Sequence, residues 1–378
     1  MTDIATANAD ANANGTSGYS LKDLIGETTL RALATTLAET APGFQRKRFL
    51  AVATDGLEPL SIMQRVHRVA QALDAGLPGS FATKLDAVIA TAPRAGGAFM
   101  NMGLCDFAAS YGQHDPVASL RALRQLTVHG TAEFAIRPFL REDLAGTLAT
   151  MSDWTADADE HVRRLASEGC RPRLPWSFRL DALVADPAPV RELLHALRAD
   201  DSLYVRRSVA NHLNDITKDH PDWVYAHVAE WDLDDARSAW IVKHALRSRI
   251  KQGDARALKL IGASDGAQAV VEQLAITPSR VRLGGEVELA FSLRSTAQTA
   301  QRLVVDYAIH YVKKNGRASP KVFKLKTVEL APGASTEIRI TRAMRDFTTR
   351  THHAGTHAVE VLVNGQRLAQ GSFELLRP

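Results

Sequence analysis

Three carboxylates and one tryptophan stand in contexts from which a water-using reaction could be run. Glu133 lies in EFAIRPFL (133–140), Glu168 closes a helical run four residues after Arg164, and Asp215 shares a run with Arg207 and Asn211. Trp176 ends the basic loop Arg171-Pro172-Arg173-Leu174-Pro175-Trp176, in which two prolines hold the chain extended. Carboxylates beside cations can take a proton from water and stabilise positive charge growing on a substrate. A tryptophan on a short basic loop can stack on a base or a sugar. Each feature also has a plainer explanation. Glu133 reads as a first-turn acid after an N-capping Thr131, Glu168 as the ion-pair partner of Arg164, Asp215 as a surface carboxylate and Trp176 as core. Glu168 needs more than that, because an acid at a helix C-terminus opposes the dipole. The chain has no Gly-rich phosphate loop, no nucleophile elbow and no His pair at metal spacing, and His352-His353 has no third ligand nearby. No cofactor or metal is expected. The available chemistry is that of carboxylates, water and an aromatic surface.

A helix at Tyr204 to Lys218 must position the last of these acids. At 3.6 residues per turn Val205, Val209, His212, Leu213 and Ile216 share a stripe of about 100°. Arg207, Asn211, Asn214 and Lys218 fall opposite, with Asp215 at the edge. Asp219-His220-Pro221 ends the helix, since the residue before proline is pushed out of the α region. HVRRLA (161–166) matches YVRRSV (204–209) at a spacing of 43 residues, which aligns Arg164 with Arg207 and Glu168 with Asn211. A looser third copy, Trp240 to Arg247, puts Lys243 and Arg247 at those two positions. Helical self-similarity near 40 residues is the period of HEAT and armadillo repeats, whose units stack because none buries its apolar face alone. Arg164, Arg207 and Lys243 should then form a row suited to a polyanion, and nucleic acid is the commonest long one.

Length and composition fit two domains: 378 residues, 45% apolar, 23% charged, formal net charge +4. Residues 1–19, rich in Ala, Asn, Thr and Gly, read as a disordered tail. Residues 20–266 read as almost uninterrupted helix and predict a right-handed α-solenoid. Residues 270–378 carry seven runs with strand character and two hairpin signals, Asn315-Gly316 and Asn364-Gly365, and predict a small all-β immunoglobulin-like sandwich. From Ala275 onward there are 16 Lys and Arg against 8 Asp and Glu, so the basic surplus sits in the β-rich part. Two cysteines without metal spacing fit a reducing cytosol. No run approaches the ~20 apolar residues of a membrane span. A cytoplasmic, monomeric protein is expected.

EFAIRPFL (133–140), HVRRLASEGCRPRLPW (161–176) and YVRRSVANHLNDITKDHP (204–221), in this order, resemble the AlkC branch of the HEAT-like-repeat DNA glycosylases, some of which carry a C-terminal immunoglobulin-like domain. The resemblance implies excision of cationic N-methylated bases, 3-methyladenine and 3-methylcytosine, from alkylated DNA held in an open groove. By motif position it places the catalytic carboxylates on Glu133, Glu168 and Asp215, the active-site aromatic on Trp176 and a groove-facing arginine on Arg164. The DNA-contacting set is expected to comprise Arg137, Arg164, Arg171, Arg173, Arg207, Asn211, Lys218, Lys243, Arg247, Arg350 and His352, with the sandwich as a second DNA clamp through its loop at 348–353. The alternatives from the residues alone are a HEAT-repeat scaffold without a reaction and a non-catalytic nucleic-acid binder.

Overall fold

Side-chain caps punctuate the helical part of the chain. In the computed structural model, which describes residues 21–347 and 351–377, the helices are α1 (Glu27–Thr40), α2 (Arg46–Thr54), α3 (Ile62–Gly76), α4 (Phe81–Thr91), α5 (Ala98–Tyr111), α6 (Pro116–Leu126), α7 (Arg137–Glu142) and α8 (Leu144–Asp153). They continue with α9 (Glu160–Gly169), α10 (Asp181–Ala185), α11 (Arg191–Ala196), α12 (Leu203–Ile216), α13 (Pro221–Val228), α14 (Ala236–Ala245), α15 (Arg247–Lys251) and α16 (Ala255–Leu260). Ser61 caps α3 with Gln64 answering it, and Asp143, Asp159 and Ser202 cap α8, α9 and α12. The expected tail at 1–19 and Arg350 lie outside the described residues.

Two compact units divide between Ala245 and Leu246. In the helical unit α9 packs on α12 and α12 on α14, as the repeated motif requires. The first arginine of each doublet folds back on the turn before its own helix. Arg163 donates to Asp157 O and Ala158 O at 2.9 and 3.0 Å, and Arg206 to Asp200 O and Asp201 O at 2.7 and 2.8 Å. The predicted apolar stripe of α12 is buried throughout. Asn214 and Asp215, expected on the far face and its edge, are buried too, because α12 has neighbours on two sides; Asn214 Nδ2 donates to Ala245 O at 2.6 Å. Thr131 does not cap a helix. Residues 133–136 form a turn closed by Ile136 N to Ala132 O at 3.1 Å, and helix begins only at Arg137. No helix among the described residues is long and apolar enough to cross a membrane.

The second unit is an immunoglobulin-like sandwich with α15 and α16 attached. Its strands are β1 (Ala269–Thr277), β2 (Arg280–Arg282), β3 (Glu286–Ser295), β4 (Gln301–Val312), β5 (Ala318–Leu330), β6 (Ser335–Ala343), β7 (Gly355–Val363) and β8 (Gln366–Leu376). They form a sheet β1-β3-β6 and a sheet β2-β8-β7-β4-β5. β2, three residues paired parallel to β8, is too short to carry an alternation that the sequence would reveal. The alternating residues Tyr307, Ile309 and Tyr311 of β4 do face the core, against Val359, Phe373 and Leu375. Asn364 and Gly365 both have positive φ, as the predicted hairpin turn needs, whereas at 315–316 only Gly316 does and the loop is longer. Residues 246–266, assigned to the solenoid from sequence, fall in this unit. Gly253 and Gly365 approach so closely that a Cβ at 365 would meet Gly253 Cα at 2.1 Å, and Asn364 Nδ2 donates to Ser264 O and Gly266 O.

Candidate active site

The three predicted acids meet in one buried chain of alternating charge. The segment before α7 supplies Thr131 and Glu133, α9 supplies Arg164 and Glu168, the loop after it supplies Arg171, and α12 supplies Ser208 and Asp215, with Lys218 just past its end. Arg164 bonds Glu133 through Nη1, and its Nη2 lies 3.6 Å from Glu168 Oε1. Arg171 Nη1 reaches Glu168 Oε1 at 2.6 Å, while its Nε and Nη2 reach Asp215 Oδ2 at 2.9 and 2.8 Å. Lys218 Nζ ends the chain 3.0 Å from Asp215 Oδ1. Glu133, Arg164, Glu168, Arg171 and Asp215 are each less than a tenth exposed.

Burial on this scale is tolerated only because every charge has an opposite neighbour. Burial alone would raise the Glu168 carboxyl, but Arg164 and Arg171, helped by a 2.6 Å hydrogen bond from Ser208 Oγ, hold it below the usual carboxylate range. Burial would likewise lower the Arg171 guanidinium, and Glu168 and Asp215 more than offset it. The oxygens differ in what remains to them. Both Glu168 oxygens and both Asp215 oxygens are taken by protein donors. Glu133 Oε2 accepts from Thr131 and Arg164, which leaves Glu133 Oε1 without a protein partner among the described residues.

Trp176 is not core. Its side chain is 47% exposed and its backbone sits at φ +66, a left-handed conformation that costs a bulky residue about 1–3 kcal/mol and clusters at functional sites. Of the residues expected to touch DNA, Arg207 is exposed and Lys218 projects to solvent beyond Asp215. Asn211 and Lys243 are half-buried. Arg164 and Arg171 are instead the counter-ions of the acids, so they are not free to meet phosphates. Arg137 is wholly buried and donates to backbone carbonyls, and Arg173 makes a bidentate pair with Asp219 at 2.9–3.0 Å. Arg247 begins α15 in the other unit, after Leu246 interrupts the third repeat copy. His352 is 2% exposed, packed edge-on against Tyr311, and is structural. Sequence reasoning missed Thr131 as a ligand of Glu133 and Ser208 as a ligand of Glu168. Ser208 had a signal: it replaces the apolar Leu165 of the aligned copy at a position that packs.

Three likenesses bear on this arrangement. Residues 270–377 match the family model described as Uncharacterised protein YhaZ, C-terminal Ig-like domain. The protein YhaZ of Bacillus subtilis (strain 168) is 35% identical over 347 residues, covering 92% of this chain and 96% of that protein. The structure of Pseudomonas fluorescens alkylpurine DNA glycosylase AlkC, bound to DNA containing an abasic site analog, superposes with a TM-score of 0.91 at 49% identity, covering 95% of this chain and all of that one. A row of carboxylates paired with arginines, an exposed tryptophan and a likeness of that extent agree on one assignment, and the chain belongs to the AlkC branch of the HEAT-like-repeat DNA glycosylases.

Proposed function

We propose that the protein hydrolyses the N-glycosidic bond of cationic N-methylated bases, 3-methyladenine and 3-methylcytosine, in double-stranded DNA, acting as a monomer on cytoplasmic, nucleoid-held DNA and leaving an abasic site. The observation that carries the reading is the buried row Glu133, Glu168 and Asp215, paired with Arg164 and Arg171, in a chain that also exposes Trp176. A base methylated on a ring nitrogen is already positive, so it takes the bonding electron pair and leaves neutral without a strong general acid. The enzyme must then stabilise positive charge on the deoxyribose and deliver water to C1′. Glu168 and Asp215, whose oxygens are committed to arginine, serine and lysine, act as fixed negative charge. Glu133 Oε1, open to a water molecule, takes the proton as the water oxygen bonds C1′. Trp176 stacks on the sugar or the exposed base edge. Arg207, with Asn211, Lys218 and Lys243 as flanking polar groups, meets the phosphates.

The test is release of free 3-methyladenine from methylated duplex DNA, with the strand left intact until alkali cleaves the abasic site. A HEAT-repeat scaffold would release no base. A non-catalytic binder would hold the duplex and release none. The sandwich is proposed as a second DNA contact. Its basic surplus concentrates in Lys313, Lys314, Arg317, Lys321, Lys324 and Lys326 along the β4–β5 hairpin, a run without an acid, and Lys313, Lys314, Lys321 and His353 line one cleft there.

A further inference from the structure

Arg137 heads the fully buried side chains by volume, yet no carboxylate among the described residues bonds it. A buried guanidinium is costly unless most of its donors are satisfied. Three carbonyls meet its two terminal nitrogens, while the buried Nε has no partner: Nη1 donates to Gly169 O at 2.9 Å and Arg171 O at 2.8 Å, and Nη2 to Phe178 O. All three belong to the last residue of α9 and the segment that joins it to α10. Glycine at 169 permits this approach, because a Cβ there would meet Ile136 Cγ2 at 2.6 Å. The segment is closed further by Leu180 N to Pro172 O at 3.1 Å and Ser177 N to Leu174 O at 3.3 Å. On the outer side the Phe178 ring, 37% exposed, lies over the guanidinium groups of Arg141 and Arg137 at 4.6 and 5.3 Å.

That segment carries two parts of the site. At its entry the Arg171 side chain stands between Glu168 and Asp215. At its crest Trp176 holds a strained backbone that relaxes unless the surroundings fix it. We propose that Arg137 is a positioning residue that fixes both at once, setting the cation between the acids and the exposed indole from beneath the same loop. The inference rests on the glycosylase reading above. Displacing a reacting group by about 1 Å can cost roughly 10²-fold in rate, whereas affinity for undamaged duplex depends on surface cations that Arg137 does not touch.

Arg137→Lys in the full-length protein tests this. Lysine keeps the charge, but its ammonium has neither the reach nor the planar fork to hold three carbonyls. Three quantities are read: the single-turnover excision rate on methylated duplex, the Kd for undamaged duplex, and trypsin cleavage after Arg173 and Arg179. The bonds after residues 137 and 171 precede proline and resist trypsin. The expected result is a rate lower by about 10- to 100-fold, a Kd within about 3-fold of wild type and faster loop cleavage. In a Trp176→Ala background the same substitution should cost much less, because part of what Arg137 positions is already gone. A wild-type rate overturns the proposal. So does a rate loss matched by an equal loss of affinity and folded protein, the signature of a purely structural arginine. If Arg137→Lys does not fold, insertion of two glycines after Ser177 loosens the crest with Arg137 intact; the same split between rate and affinity supports the proposal, and an unchanged rate refutes it. Failure of the glycosylase reading shows differently: wild-type protein releases no methylated base, while the trypsin comparison still reports whether Arg137 holds the loop.

Discussion

Glu133→Gln separates the chemistry of the acid row from its structural duty. The substitution keeps shape and removes one negative charge and one proton acceptor. Arg164 is left with Glu168, 3.6 Å away, and with the Thr131 hydroxyl at 2.9 Å. At an effective dielectric near 20 the remaining ion pair is worth about 5 kcal/mol before desolvation is counted, so the guanidinium is not stranded. The fold should therefore hold, with a stability loss of about 1–3 kcal/mol from the weakened hydrogen bonding around Arg164. The rate is another matter. Loss of a positioned general base typically costs about 10² to 10⁴, or roughly 3 to 5 kcal/mol of transition-state stabilisation. The assay is single-turnover release of 3-methyladenine with enzyme in excess, beside a Kd for undamaged duplex and a melting curve. Excision within about 3-fold of wild type, from folded protein at saturating DNA, would refute the assignment of Glu133 as the base and leave it a partner of Arg164.

Glu168→Gln should differ by costing the fold as well as the rate, since it strips charge from between Arg164 and Arg171; a melting temperature lowered by far more than in Glu133→Gln is expected, breaking a buried pair costing about 3–5 kcal/mol. Arg207→Ala should weaken duplex binding whatever the sequence and lower the log–log salt slope by about one, read by titration at several salt concentrations. Arg164→Ala should instead lower the melting temperature without that signature. His212, wholly buried with Nδ1 3.0 Å from Ser167 O, is held neutral by burial, its pKa lowered from 6.5 to about 4. Its contribution is complete above pH 6.5 and is lost as pH falls from there towards 4, on the order of 3 kcal/mol, so melting curves should show an acid-side loss that His212→Gln reduces. Lys313→Glu with Lys314→Glu, both exposed, should weaken duplex binding and flatten its salt dependence if the sandwich meets DNA; unchanged binding would make it a spacer or a partner-binding module.

The fold was legible wherever one residue period dominates over a long run. Helical spacing from 20 to 245 and two-residue alternation after 269 each name their element, and the 43-residue echo between His161 and Tyr204 names the stacking. Legibility failed where local signals compete. Thr131 followed by Glu133 looks like a capped first turn, but 133–136 form only a turn and the helix starts at Arg137, with Pro138 in its first turn where proline is well suited. Residues 246–266 look like one more solenoid helix because amphipathic spacing does not say which partner it serves; only the close approach of Gly253 to Gly365 does.

The same limit explains the arginines. A sequence counts charges but does not pair them, so Arg164, Arg171 and Arg207 look alike as a basic row. In the structure α9 brings Arg164 against Glu133, 31 residues away, and Arg171 reaches Asp215 across 44 residues. Those separations make the pairs unreadable, and they are also what the proposed reaction requires. A carboxylate row largely withdrawn from water needs cations fixed beside it before DNA arrives, since phosphates bring only more negative charge. Arginines spent inside the row cannot also hold the backbone. The protein therefore needs two populations of cation, one buried to set the acids and one exposed to meet phosphate, and variants of Arg171 and Arg207 should fail in different ways: the first in rate and stability, the second in salt-dependent affinity.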